Sequence, residues 1–538
     1  MLHGMIVAPQ PQAVEEGARV LRDGGNAFDA ALTCAAMQFI LDPHSCGVGG
    51  YLLMTCLPAG SHPRPRLVDA PALAGSRATP AMWESAVIGP NPGGWGFFLR
   101  GKLNEDGYQS ICTPGMVRGM AEIHRRYCTL PWAQLFEPAI RCADDGFVVG
   151  AHLASRWKDV PLYYEGSSLF QKLHVSADAR KIYLKSDGRP YDKGERLHNP
   201  DYARVLSRLA AHGPEDFYTG GLAQQMASDL EHHHSFVTRH DLAQYEFPES
   251  EPVVTTYRGY TIIAPPAPHG GPTLAAILKI LEGYDLSKWG HNSPDYVLRV
   301  SMAMKGAFAD RNRLMGDPRF VTVPSVWMIS EDRAAEWRQV IDSGEAIEAP
   351  LSQIGPPSTT QVSVVDRFGN CVSLTHSLGS SSGTITPGMG FMYNNSMINF
   401  HPYAGHPNSI APGKGRTTGM TPVIVLKNGQ PVLIVGAPGA TRIITAVLQT
   451  ILNRIDFGMS VTDAVLAPRF DCQGGTIACQ ARIPESTCAV VRKRHPIARA
   501  PDSHGGFALV QAIAIDEQTC RVTGASDAGA DGMALAVY

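Results

Sequence analysis

The sequence lacks the marks of several protein classes. It has no long run of Lys or Arg, and its formal net charge is −3, so neither nucleic acid nor an anionic membrane is an expected partner. No apolar run reaches the ~18 residues that cross a bilayer. The longest, "AALTCAAMQFILD" at 30–42, reads as a buried helix. The start, "MLHGMIVAPQPQAVEEGARVL", has neither the basic nor the apolar region of a secretion signal. The 11 cysteines are odd in number and show no CxxC spacing. That pattern argues against a disulfide framework or a zinc site and predicts reduced thiols in a cytoplasmic protein. There is no internal repeat and no low-complexity segment.

What is present is a chain of 538 residues, long enough for three or four domains or one large layered fold. Residues 11–41 predict two helices, broken at Gly24–Gly25, with Asn26 as the cap of the second. "CGVGGYLLMTCL" predicts a glycine turn into a buried strand. Residues 115–147 and 196–245 read as mostly helical, with Pro131 and Pro138 at helix starts. "VVTTYRGYTIIAPP" predicts two strands joined at Arg258–Gly259, and "GGPTLAAILKILEGYDL" a helix with one apolar stripe. After Pro356 short strands dominate, at 361–366, 371–376, 391–394, 422–427, 431–435 and near 508–515, around one helix at 441–455. The proportions predict an α+β or layered α/β fold with a helix-rich N-terminal part and a strand-rich C-terminal part.

Three motif readings fail on context. Gly379–Gly383 spells GxSxG, but no helix can start in the following "TITPGMG", so it is not a nucleophile elbow. "GVGGYL" lacks the third glycine of a dinucleotide fingerprint. His232, His233 and His234 are consecutive and would point to different sides of a helix, which does not chelate one ion. No metal and no cofactor is expected.

The stretch "GPPSTTQVSVVDRFGNCVSLTHSLGSSSG", residues 355–383, stands apart. Two adjacent threonines open a strand, a turn follows at Arg367–Asn370, and a second strand brings back hydroxyls at Thr375 and Ser377. With the blocks "LRDGGNAFDAALTCAAMQFILDPHSCGVGG", "YRGYTIIAPPAPHGG", "TGMTPVIV", "GAPGATRIITAVLQ" and "DAGADGMALAVY", in that order along the chain, it resembles the γ-glutamyltransferase family of self-processing N-terminal nucleophile hydrolases. The resemblance implies a four-layer αββα fold. It implies cleavage between Ser358 and Thr359, giving a large segment 1–358 and a small segment 359–538 that stay partnered. Thr359 would then supply both the hydroxyl nucleophile and, as its free α-amine, the base.

The resemblance also places the other site residues. Ser377 holds a position that is Thr in the family and would hydrogen-bond the nucleophile. Gly439 and Ala440 would form the oxyanion hole through backbone N–H groups, with alanine tolerable at 440 if its φ stays negative. Thr375, Gly379, Ser396, Asn399, Thr418 and Gly419 fall at substrate-binding positions. Here the pattern departs from the family. The family's acidic partner for an α-amine is the neutral Asn399, Gln361 replaces a His, and "RLVDAPALAGSR" puts no Arg at the carboxylate-binding position, leaving Arg66 and Arg77 as nearby substitutes. The expected substrate is therefore a small-molecule amide whose acyl group need not be γ-glutamyl. The short 399–416 segment predicts an open pocket that favours hydrolysis over transfer. The alternatives are a homologue that cleaves another bond, such as a carbon–carbon bond or a non-glutamyl acyl amide, and an unprocessed pseudoenzyme. A homo-oligomer is compatible with the sequence.

Overall fold

The structure is a computed structural model that describes residues 3–61, 63–90, 96–158, 160, 166–349, 358–501, 503–504 and 506–538. Two six-stranded antiparallel sheets organise it. The first runs in the order Met533–Val537, Gly4–Ala8, Thr360–Asp366, Cys371–Ser377, Tyr51–Leu57, Arg66–Ala70. The second runs Val522–Ser526, Gln511–Ile515, Gln430–Gly436, Val423–Lys427, Tyr260–Ala264, Val253–Tyr257.

Each sheet takes strands from both sides of the Ser358–Thr359 bond. The helices concentrate before that bond and the strands are denser after it, as expected, and the shared sheets join the two parts into one unit. The sequence reading overlooked Gly4–Ala8, Arg66–Ala70, Val522–Ser526 and Met533–Val537. Each has five residues, too few for alternation to show against the neighbouring text.

The helix Ala27–Leu41 is buried along its whole length, as its unbroken apolar composition predicts. Asn26 caps it, accepting from Phe28 N at 2.9 Å and Asp29 N at 3.0 Å. Asp29 completes the box by accepting from Asn26 N at 2.9 Å. The next backbone N–H, of Ala27, donates to Asp366 Oδ2 at 2.8 Å. Asp366 also accepts from Phe368 N, Asn370 N and Asn370 Nδ2. One carboxylate thus shapes the turn of the hairpin that carries Thr359 and ties it to a helix start.

That hairpin has two distinct faces. Residues 360, 362, 364, 372, 374 and 376 turn toward the Ala27–Leu41 helix, where Gln38 Nε2 donates to Thr360 Oγ1 at 2.9 Å and His376 Nε2 bonds Gln38 Oε1 at 2.8 Å. The opposite face meets the second sheet: Ser363 Oγ donates to Gln511 O at 3.1 Å and Ser373 Oγ to Val435 O at 3.0 Å. Further along, the space between the sheets is apolar, filled by Met5, Val7, Val365, Ile424, Ile434 and Ile513. Polarity between the sheets rises toward Thr359.

The predicted strand at 391–394 does not form. Tyr393 makes only an isolated bridge with Gly49. Asn394 takes over the local backbone groups, accepting from Cys112 N at 3.1 Å and donating to Gly49 O and Cys112 O at 2.8 Å each. Asn side chains that satisfy backbone in this way displace the ladder. The other predicted strands and the helix Arg442–Ile455 are present.

Candidate active site

Thr359 immediately precedes the strand Thr360–Asp366 and is 7% exposed. Because Thr360 pairs with His376, the hairpin register sets Thr359 beside Ser377. Their hydroxyl oxygens lie 3.0 Å apart. Ser377 Oγ is also 2.9 Å from the Ser358 carbonyl oxygen, which Thr359 Oγ1 contacts as well. The N–H of Gly379 donates to Ser377 Oγ at 2.9 Å. With that N–H donated to it, Ser377 Oγ can donate to the Ser358 carbonyl and also accept from the Thr359 hydroxyl, which itself reaches the same carbonyl. A hydroxyl relay links the attacking oxygen to the carbonyl it would attack. The Pro-rich stretch Gly355–Pro357 lies outside the described residues.

Arg156, from the helix Ala151–Arg156, holds the other side of the bond. Its guanidinium donates to Ser358 Oγ and, at 2.9 Å, to Ser45 Oγ. The sequence reading had no means to find this contact, which joins residues about 200 positions apart.

Gly439 and Ala440 sit between the strand Gln430–Gly436 and the helix Arg442–Ile455. Neither N–H donates a hydrogen bond among the described residues, so both are available as oxyanion donors at a helix N-terminus. The condition of negative φ at Ala440 is not met: its φ is +55°. A left-handed alanine costs about 1 kcal/mol, and the surroundings hold it there. A Cβ on Gly419 would stand 2.2 Å from the Ala440 carbonyl oxygen, and one on Gly439 2.4 Å from the Ala508 Cβ. Both glycines are needed for close approach, which positions the turn beside Thr359.

Around these groups a cavity of about 30 Å³ is lined by Tyr51, Ser358, Thr359, Gly379, Asn399, Arg416 to Met420, Ala440, Thr441 and Ile443. That is room for about one water. The uncut chain has no space for an acyl donor while Ser358 occupies the site. Gly379, Asn399, Thr418 and Gly419, read as substrate contacts, reach this cavity. Thr375 and Ser396 are not among its lining. The Thr375 hydroxyl donates to Gln361 Oε1 at 2.6 Å, between the sheets. Ser396 is fully buried and its N–H donates to Asn394 Oδ1 at 3.1 Å. Gln361 fits because Gly436 has no Cβ, which would come within 2.4 Å of its amide carbon.

Thr418 is held from behind. His269 Nδ1 bonds its hydroxyl at 2.8 Å, and His269 Nε2 bonds Asp69 Oδ2 at 2.7 Å. Arg311 donates to the Thr418 carbonyl at 2.8 Å. Burial lowers the Arg311 pKa to about 10. His269, Asp69 and Arg311 were not singled out in the sequence; their distance from Thr418 along the chain leaves no local signal. Arg66 and Arg77, proposed as substitutes for a carboxylate-binding arginine, are both exposed and do not line the cavity.

Two buried histidines flank the hairpin and its entry. Burial lowers the pKa of His376 from 6.5 to about 3, and burial with nearby Arg156 and Lys172 does the same for His44. Both are neutral in the fold, whereas in the unfolded chain each protonates near its ordinary value of 6.5. Between about 6.5 and about 3 the unfolded state therefore binds more protons. Stability is expected to fall as pH drops through that window, by an amount on the order of several kcal/mol. Urea denaturation midpoints at pH 7 and pH 5 check this; equal midpoints would contradict it.

A family described as Gamma-glutamyltranspeptidase matches residues 13–537. The chain is 36% identical to the acylase ACY 1 proenzyme of Pseudomonas sp. (strain V22), covering 99% of this chain and 93% of that protein. It is 33% identical to the glutathione hydrolase proenzyme of Escherichia coli (strain K12), over 87% and 81% respectively. In three dimensions it superposes on cephalosporin acylase from Bacillus halodurans with a TM-score of 0.86 at 26% identity, covering 99% of this chain and 96% of that one.

Proposed function

The chain belongs to the gamma-glutamyltranspeptidase family, and on that premise we propose that it is an amide hydrolase that cuts itself before Thr359 and then uses Thr359 as its nucleophile. The observation that carries this reading is the hydroxyl relay at the Ser358–Thr359 bond. In self-cleavage the Thr359 oxygen attacks the Ser358 carbonyl carbon and its proton passes to Ser377. Ser377 donates its own proton to the carbonyl oxygen. On collapse the new hydroxyl gives up its proton, the departing Thr359 nitrogen takes one up, and the C–N bond breaks to leave an ester, which water hydrolyses to residues 1–358 and 359–538. Both segments stay in place because each sheet contains strands from both.

Cleavage frees the Thr359 α-amine, with an ordinary pKa of ~7.7–8.0. It takes the hydroxyl proton when Thr359 attacks a substrate amide and returns a proton to the leaving amine. The N–H groups of Gly439 and Ala440 receive the oxyanion. Removing one such donor costs ~10²–10³ in rate in a comparable site. Departure of Ser358 from the cavity opens the place of the acyl group, so self-cleavage precedes substrate binding.

The two facing sheets, with helices such as Ala27–Leu41 and Gly271–Glu282 on their outer sides, support the reading of four αββα layers. Hydrolysis is expected to exceed transfer to an acceptor, given the short 399–416 segment. A dipeptide acceptor that yields as much transfer product as acid would contradict that. The nucleophile itself is tested by acid quench during turnover of a chromogenic amide, followed by peptide mass mapping. An acyl adduct on the peptide that begins at Thr359 is expected; continuing turnover with an adduct elsewhere overturns the assignment.

A further inference from the structure

A second cavity, of about 280 Å³, shares no lining residue with the one at Thr359. It lies where the strand Gly4–Ala8 leads into the helix Pro11–Arg22, beside the end of the Ala27–Leu41 helix and the start of Ala151–Arg156. Pro11, Leu41, Phe147 and Leu153 give it apolar walls, and its acidic side chains are Asp42 and Asp531. No Lys or Arg lines it. Apolar walls with a few polar groups among them are the ordinary form of a small-molecule site. Asp42 is 5% exposed. Its Oδ2 accepts from Gln10 Nε2 at 3.2 Å and stands 4.0 Å from Arg156, whose guanidinium is held by Ser45 and Ser358. Its Oδ1 is buried with no hydrogen-bond partner among the described residues. Gln10 has no acceptor capacity to trade for it, since its Oε1 already takes Gln38 Nε2 at 2.6 Å and Thr360 Oγ1 at 3.2 Å. A buried carboxylate oxygen without a donor is costly. Asp531, exposed at the rim, accepts from His152 N at 3.0 Å. It comes this close because Gly150 has no Cβ, which would stand 2.8 Å from Asp531 Oδ2. His152 itself brings no positive charge at neutral pH: burial, then nearby Arg156, lower its pKa from 6.5, against the pull of Asp42 and Asp531.

We propose that this cavity binds an organic ammonium ion with an apolar body, the ammonium pairing with the Asp42 carboxylate and the hydrocarbon lying against Leu41, Phe147 and Leu153. An ammonium supplies at once the donor that Oδ1 lacks and a counter-charge for a lining that carries two carboxylates and no cation. A neutral hydroxyl supplies the donor alone, and an anion meets two like charges. The ligand is separate from the amide substrate, and the site stands whether or not Thr359 is the nucleophile.

The test is titration calorimetry on the full-length, uncut Thr359→Ala chain, in which Ser358 still fills the cavity at position 359. Three probes share one apolar body: 3-phenylpropylamine, 3-phenylpropan-1-ol and 3-phenylpropionate. The amine is expected to bind at least about tenfold tighter than the alcohol, the scale that separates a hydrogen bond to a charged group from a neutral one, and the carboxylate weakest of the three. Asp42→Asn in the same chain is expected to bring amine and alcohol to equal affinity. Val148→Trp adds bulk to the lining from a position that is 45% exposed, and is expected to abolish binding of the amine while leaving Asp42 in place. It keeps the test open should Asp42→Asn fail to fold. Equal affinity for amine and alcohol before either change, or no binding of the amine at millimolar concentration, overturns the proposal. So does an amine affinity that either variant leaves unchanged, which would put the amine elsewhere on the surface.

Discussion

Replacing Thr359 by Ala is expected to leave one chain of 57.9 kDa and to lower amide turnover at least about 10⁴-fold, in line with the loss of the nucleophile in other acyl-enzyme hydrolases. Both effects have one cause. The oxygen that attacks Ser358 in the uncut chain is the oxygen that attacks substrate in the cut one. Thr359→Ser keeps the oxygen and is expected to retain slow cleavage and measurable turnover. Gel and rate assays on the two variants suffice. Full activity in the uncut Thr359→Ala chain would mean that another residue performs the chemistry.

Ser377→Ala is expected to have the second largest effect, slowing self-cleavage ~10²–10³-fold, the range for deleting one donor to a developing oxyanion. Ser377 touches both reacting groups, at 3.0 Å from Thr359 Oγ1 and 2.9 Å from the Ser358 carbonyl oxygen. Its loss leaves the Gly379 N–H without its acceptor and the carbonyl without its donor. Ser377→Thr restores the hydroxyl and should recover most of the rate. A time course of uncut chain after a rapid temperature shift measures this. Wild-type cleavage in Ser377→Ala would remove Ser377 from the relay and leave it a packing role.

Much of the site could be read in the sequence because its core is local. Thr359 and Ser377 are joined by a single hairpin, and a period of two with one turn puts their side chains on one face. The Asn26 cap and the buried Ala27–Leu41 helix were legible for the same reason: a cap and an unbroken apolar run are properties of adjacent residues. What was missed is non-local or conformational. Arg156 at Ser358 and His269 at Thr418 depend on how distant elements close on one another. The left-handed Ala440 depends on Gly419 and Ala508, which the turn itself does not contain. Arg66 and Arg77 looked suitable by proximity in sequence, while Arg416, more than 300 positions later, reaches the cavity through its stacking on Tyr51.

The central claim is most directly tested by intact mass and N-terminal sequencing of the purified wild-type protein after incubation at neutral pH. The account predicts two species that together make up the chain, one of them beginning at Thr359. A single species of 57.9 kDa, or a division at any other bond, would contradict it.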